Sequence, residues 1–113
     1  MGDFTSLEIY CLAEDLSVKI FGITSQLRRA VTSIALNIAE SYGRFYYKDK
    51  AVFLYNARGS LLETKSIVLI CGKLGYIVDK EKDELLSEIE RLGVKINNYI
   101  KYLKQPHDNK STT

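Results

Sequence analysis

The only proline in 113 residues is Pro106, so nothing ahead of it removes a backbone donor or blocks a helix sterically. Over that stretch apolar residues return every three or four positions and nowhere alternate. That is the period of a helix and not of a strand. The spacing predicts four helices, at about 5–20, 25–42, 49–74 and 80–104, separated by Gly22, Gly43 and Gly75. Thr5 or Ser6 can cap the first, Thr24 or Ser25 the second, and Asp79 the fourth. Leu27, Val31, Ile34 and Ile38 form an inward stripe on the second helix. Phe53, Ala57, Leu61, Thr64, Val68 and Cys71 form one on the third. Four helices on short links imply an all-α, antiparallel up-and-down four-helix bundle. The expectation is one domain over 1–106 and a flexible polar tail over 107–113.

Composition narrows the chemistry. With 46% hydrophobic and 27% charged residues, the chain can fill a core and keep a wet surface. The longest apolar run is Ile67-Val68-Leu69-Ile70-Cys71, far short of a membrane span. No charged region followed by an apolar one opens the sequence, so a cytoplasmic location and no signal peptide are expected. Cys11 and Cys71 read as small buried hydrophobes in a reducing compartment. His107, the only histidine, falls in the polar tail. Neither a zinc site of ordinary spacing nor a Ser-His or Cys-His pair can be assembled from this set. A di-iron bundle needs two Glu-x-x-His motifs, and there are none. No metal, no cofactor and no enzymatic activity are expected.

Charge is unevenly placed. Residues 1–18 carry a net −4, residues 19–73 a net +6, and the remainder balances, for the formal +2 of the whole. The middle hairpin is the basic part. In the last helix six acids between 79 and 90 precede four bases between 91 and 104, an order that opposes the helix dipole and stabilises both ends.

The same hairpin carries a resemblance. Ser25-Gln26-Leu27-Arg28-Arg29-Ala30, followed by Ser33-Ile34-Ala35-Leu36-Asn37-Ile38-Ala39-Glu40, resembles the first signature block of the proteins encoded by 23S rRNA intervening sequences. Phe53-Leu54-Tyr55-Asn56-Ala57-Arg58-Gly59-Ser60-Leu61-Leu62-Glu63 is similar to the second block, and Leu74-Gly75-Tyr76-Ile77 to the end of the third helix. The resemblance covers about Leu7 to Leu103. Ser41 stands where the family usually has Gly, Tyr46-Tyr47 where it has a Ser cap, and the first link is short. The resemblance implies a four-helix bundle, frequently a ring-shaped homopentamer, in bacterial cytoplasm, with no settled activity. A distant relative serves as the accessory subunit of a diversity-generating retroelement reverse transcriptase.

Three groups of residues stand out. Gly43-Arg44-Phe45-Tyr46-Tyr47-Lys48-Asp49-Lys50 interleaves bases with aromatics, a combination that suits RNA because cations meet phosphate while rings stack on unpaired bases. Arg28 and Lys65 could extend the basic strip. The competing reading closes the bundle end or a subunit contact with the same rings. Arg29, Asn37, Glu40, Arg58 and Glu63 read as a buried, ion-paired network or subunit seam, with Arg29 and Arg58 partnering Glu40 and Glu63. Ala35, Ala39, Gly43, Gly59 and Ser60 read as close-packing positions. The function expected is a non-enzymatic oligomer that positions RNA or an RNA-processing partner on a basic, aromatic rim. The alternative is a protein–protein adaptor with no nucleic-acid contact.

Overall fold

The computed structural model describes residues 4–105, with side chains described at 10, 11 and 22–105. Among them lie three helices and no strand: α1 (Phe4–Tyr42), α2 (Tyr47–Lys73) and α3 (Asp79–Lys104). The tail at 107–113 lies outside the described residues.

The two helices expected at 5–20 and 25–42 are one helix of 39 residues. Gly22 does not break it. A glycine costs a helix about 1 kcal/mol relative to Ala, but it keeps its backbone N–H, and Phe21 and Ile23 carry the pattern through. Where a real stop occurs, more than one signal coincides. After α2, Gly75 takes φ 79°, the left-handed conformation other residues avoid. Its N–H then reaches the Gly72 carbonyl, and the Tyr76 N–H reaches that of Cys71. α3 opens at Asp79 and Val78 takes the N-cap place, its N–H held by Glu81 Oε1 at 3.1 Å.

α2 lies between its neighbours. It packs along both α1 and α3, whose backbones stay apart from each other. The Ser33 and Ser60 hydroxyls meet at 2.8 Å and Lys50 Nζ reaches the Ser41 carbonyl, so α1 and α2 run antiparallel. Arg58 Nη1 donates to Asn97 Oδ1 at 2.8 Å and Gly72 lies against the Lys82 side chain, so α2 and α3 run antiparallel. The core is formed by Ile34 of α1, Leu54, Ala57 and Leu61 of α2, and Ile96, Ile100 and Leu103 of α3. Burying each large aliphatic side chain contributes about 1.5–3 kcal/mol. Of the expected stripes, Ile34 and the α2 set Ala57, Leu61, Thr64, Val68 and Cys71 are buried, while Val31 is 48% exposed. Cys11 is exposed too, on the part of α1 that runs beyond the packed region. The radius of gyration is 20.3 Å, against about 13 Å for a compact domain of this length.

Candidate nucleic-acid interface

α1 ends at Tyr42, where Gly43 N–H and Arg44 N–H turn back to the carbonyls of Glu40 and Ser41. A link of four residues leads to Tyr47, where α2 begins, so Arg44, Phe45 and Tyr46 stand at the tip of the hairpin. Phe45 and Tyr46 are exposed and meet edge to face at 5.0 Å. Arg44 donates to Glu40 Oε1 at 2.7 Å in an exposed pair and lies over the Phe53 ring at 4.7 Å. Such a pair contributes little stability in water, but together with the ring it fixes the guanidinium on the tip. Lys48, on the first turn of α2, is exposed.

The structure brings more to this end than the hairpin alone. The C-terminal turns of α3 arrive beside it, carrying Tyr99, Tyr102, Lys101 and Lys104. Tyr42 meets Tyr99 edge to face at 5.9 Å, and Tyr99 stacks on Tyr102 at 6.4 Å with the rings 13° from parallel. Burial, with added effects of Tyr42 and Tyr102, pushes the Tyr99 hydroxyl above its ordinary range, so it stays neutral. The result is a patch of exposed rings flanked by Arg44, Lys48, Lys101 and Lys104. Tyr42, Tyr99 and Tyr102 were not singled out as site residues by sequence. The i, i+3 spacing of Tyr99 and Tyr102 marks a shared helix face, but only packing shows that this face adjoins Tyr42.

Several expected site residues lie elsewhere. Lys50 is buried, and its Nζ donates to the Ser41 carbonyl at 3.1 Å. There it neutralises the C-terminal end of α1, and it presents no charge to a ligand. Tyr47 is half-buried against the core. Arg28 is exposed on α1, roughly 24 Å along the helix from Arg44 at 1.5 Å per residue. Lys65 lines a groove between α2 and α3 with Arg58, Leu62 and Val94, away from the hairpin tip.

The expected buried ionic network is not formed. Arg29, Glu40, Arg58 and Glu63 are exposed and Asn37 is half-buried. Arg29 bonds Gln26, Glu40 bonds Arg44, and Arg58 bonds Asn97 while lying over the Tyr55 ring. Asn37 donates to the Ser33 carbonyl and hydroxyl. The apolar stripes are narrower than the sequence suggests, so these groups stay in water and find neighbours on their own helix or across one groove. The close-packing positions behave likewise. Ala35, Ala39 and Gly43 are exposed, a Cβ at Gly59 would meet nothing within 4 Å, and Ser60 alone makes the interhelix contact, with Ser33. Among the described residues, no three His, Cys, Asp or Glu side chains come together to hold a metal ion, and no helix is long and apolar enough to cross a membrane.

A family model described as 23S rRNA-intervening sequence protein matches residues 4–98. The match covers most of the chain, which therefore belongs to that family. No curated protein and no solved structure matches the chain.

Proposed function

We propose that this member of the 23S rRNA-intervening sequence protein family is a non-enzymatic helical-bundle protein that associates, as a homo-oligomer, with RNA or an RNA-processing partner in the cytoplasm. In this reading residues 4–21 complete a four-helix bundle, and copies gather in a ring, five in the form the family resemblance implies. The partner is a ribosomal component or a reverse transcriptase. The observation that carries the proposal is the juxtaposition of exposed Tyr42, Phe45, Tyr46 and Tyr102 with Arg44, Lys48, Lys101 and Lys104 at one end of the helices. Rings of this kind stack on unpaired bases for about 1–3 kcal/mol each, tolerant of sequence. Cations around them meet phosphate. Several copies on one rim multiply a weak contact into avidity.

The test is binding of a labelled single-stranded RNA over a range of salt. Arg44→Ala, Lys48→Ala and Lys101→Ala combined should weaken binding and flatten the salt slope by about 0.7 per phosphate contact removed. Thermal stability should change little, because all three side chains are exposed. Equal affinity and slope in the variant would end the RNA reading.

The open strip on α1 favours a second reading. Thr32, Ala35 and Ala39 are exposed beside Leu36, which is 64% exposed. Small side chains next to an uncovered leucine suit an adaptor that holds a protein partner without nucleic acid. Recovery of a stoichiometric protein and no RNA under native conditions would favour it.

A further inference from the structure

Gly59 stands in the middle of α2, where a glycine weakens a helix relative to Ala. No neighbour in the chain accounts for it, because a Cβ there would meet nothing within 4 Å. Gly93 of α3 is the contrast. Its Cβ would come within 3.3 Å of Leu61 Cδ2, so the packing of α3 on α2 explains it. The space over Gly59 is open to something outside the chain.

That space is a groove of about 440 Å³ between α1 and α2, within the range of small-ligand sites. The joined hydroxyls of Ser33 and Ser60 line it where the two helices touch. Asn37 lines it from α1, Asn56 and Glu63 from α2. Asn56 and Glu63 are exposed, and neither has a hydrogen bond or ion pair among the described residues. Tyr55 stands at the edge with Arg58 over its ring at 4.9 Å. The groove runs toward the hairpin tip. Asn56 follows Lys48 by roughly 12 Å along α2 at 1.5 Å per residue, and Asn37, Glu40 and Arg44 share a face of α1.

A lining of hydroxyls, amides and a carboxylate is unlike the core of a subunit contact, where charge is depleted. It suits the edges of a flat polar molecule. Asn56 and Glu63 are roughly 10 Å apart along α2, with Gly59 between them. One planar base over Gly59 fits that interval with hydrogen bonds at two edges. A carboxylate only accepts, through two oxygens. Of the four RNA bases guanine alone presents two adjacent N–H donors, N1–H and N2–H, which a carboxylate takes bidentately. Its N7 and O6 are acceptors, for which the Asn56 amide is a donor. Uracil sets a carbonyl against the carboxylate. Adenine and cytosine each offer an amino donor beside an acceptor nitrogen.

We propose that the α1–α2 groove at Gly59 reads an unpaired guanine, Glu63 accepting from its N1–H and N2–H and Asn56 donating to its N7 or O6. The proposal rests on the RNA association above and adds which base the protein selects beside its rim.

Guanosine monophosphate (GMP) and uridine monophosphate (UMP) carry the same phosphate, so their difference reads the base alone. In the isotope-labelled full-length protein, GMP should shift the backbone amides of Asn56, Gly59 and Ser60 at a concentration about 5-fold or more below UMP, the low end for one bidentate contact. A short oligouridine with one guanosine should bind tighter than plain oligouridine by a similar factor. Glu63→Gln should erase this preference and leave the salt slope of RNA binding unchanged, because an amide offers one donor and one acceptor. Gly59→Gln should abolish the GMP shifts and raise the melting temperature, because it fills the groove and removes a glycine from the helix. Equal responses to GMP and UMP, or a guanine preference that survives Glu63→Gln, would overturn the proposal and leave the RNA reading to its own test. A guanine preference in a protein whose RNA binding ignores Arg44, Lys48 and Lys101 would overturn the rim and support the groove. A fall in oligomer mass in Gly59→Gln, with no GMP response in the unaltered chain, would overturn the proposal by making the groove a contact between copies.

Discussion

The two ends of the helical body differ in packing and in charge. At the end where α1 turns into α2, Ile34, Leu54, Ile100 and Leu103 close a three-helix core, and rings and bases collect on its outside. At the end where α2 turns into α3, six acids crowd residues 79–90, and Ile70, Leu74 and Val78 are exposed. Of the middle hairpin's bases, Arg44 and Lys48 are exposed at the first end, reinforced there by Lys101 and Lys104, while Arg28, Lys65 and Lys73 lie elsewhere along the helices. Among the described residues the acidic end exposes the ring of Tyr76, and its carboxylates repel a polyanion. It has instead uncovered apolar surface, which suits a protein contact.

Packing gives the largest way to break this contrast. Leu54→Ala, at the closed end, should lower stability by about 2–5 kcal/mol, read by denaturant unfolding. Leu85→Ala, at the open end, should cost well under half of that, because Leu85 remains partly in water in a single copy. Equal losses would mean that Leu85 is as well covered as the core. Next in size is Lys50→Met, which leaves the Ser41 carbonyl without its charged partner and should cost about 1–3 kcal/mol. RNA affinity of the folded fraction should stay unchanged, in contrast to Lys48→Ala. At the opposite link, Gly75→Ala should cost about 1–2 kcal/mol, because a Cβ strains the left-handed conformation there, and helix content should hold.

The smallest effect concerns Tyr99. Its folded-state pKa is raised by burial and by Tyr42 and Tyr102, so the folded protein holds the proton more tightly than the unfolded chain. The resulting stability is present below the ordinary tyrosine value of about 10 and is lost as pH rises through the folded value. Tyr99→Phe should flatten the fall in melting temperature above about pH 10 and leave neutral-pH stability nearly unchanged. An identical alkaline slope in the variant would show that Tyr99 is no more shielded than Tyr102.

Much of the fold was legible because helical period is a local property. The boundaries of α2 and α3 are within two residues of those expected, and Ala57, Leu61, Thr64, Val68 and Cys71 are buried as their spacing required. The hairpin tip was legible for the same reason, since Arg44, Phe45 and Tyr46 are consecutive. The rest depended on which side of each helix met a neighbour. Gly22 carried one weak stop signal, and the backbone hydrogen bonds of α1 overrode it. Lys50 looked like its neighbours in the sequence. It turned inward because the end of α1 leaves a carbonyl to be satisfied at that position. Arg29, Glu40, Arg58 and Glu63 looked buried because the helices around them are apolar on several sides, yet only one side is covered.

The sequence by itself determined that this chain is helical, where α2 and α3 start and stop, and that its middle is basic. These follow from spacing, from Gly75, and from counts of side chains, none of which needs a third dimension. Tertiary structure alone decided that Tyr99 and Tyr102 of α3 join Tyr42 and Phe45 at one end, that Lys50 serves the fold, and that α1 outruns its partners. Residues far apart in the chain become neighbours only when helices choose their register, and that choice is made by the packing of Ile34, Leu54 and Ile100 together.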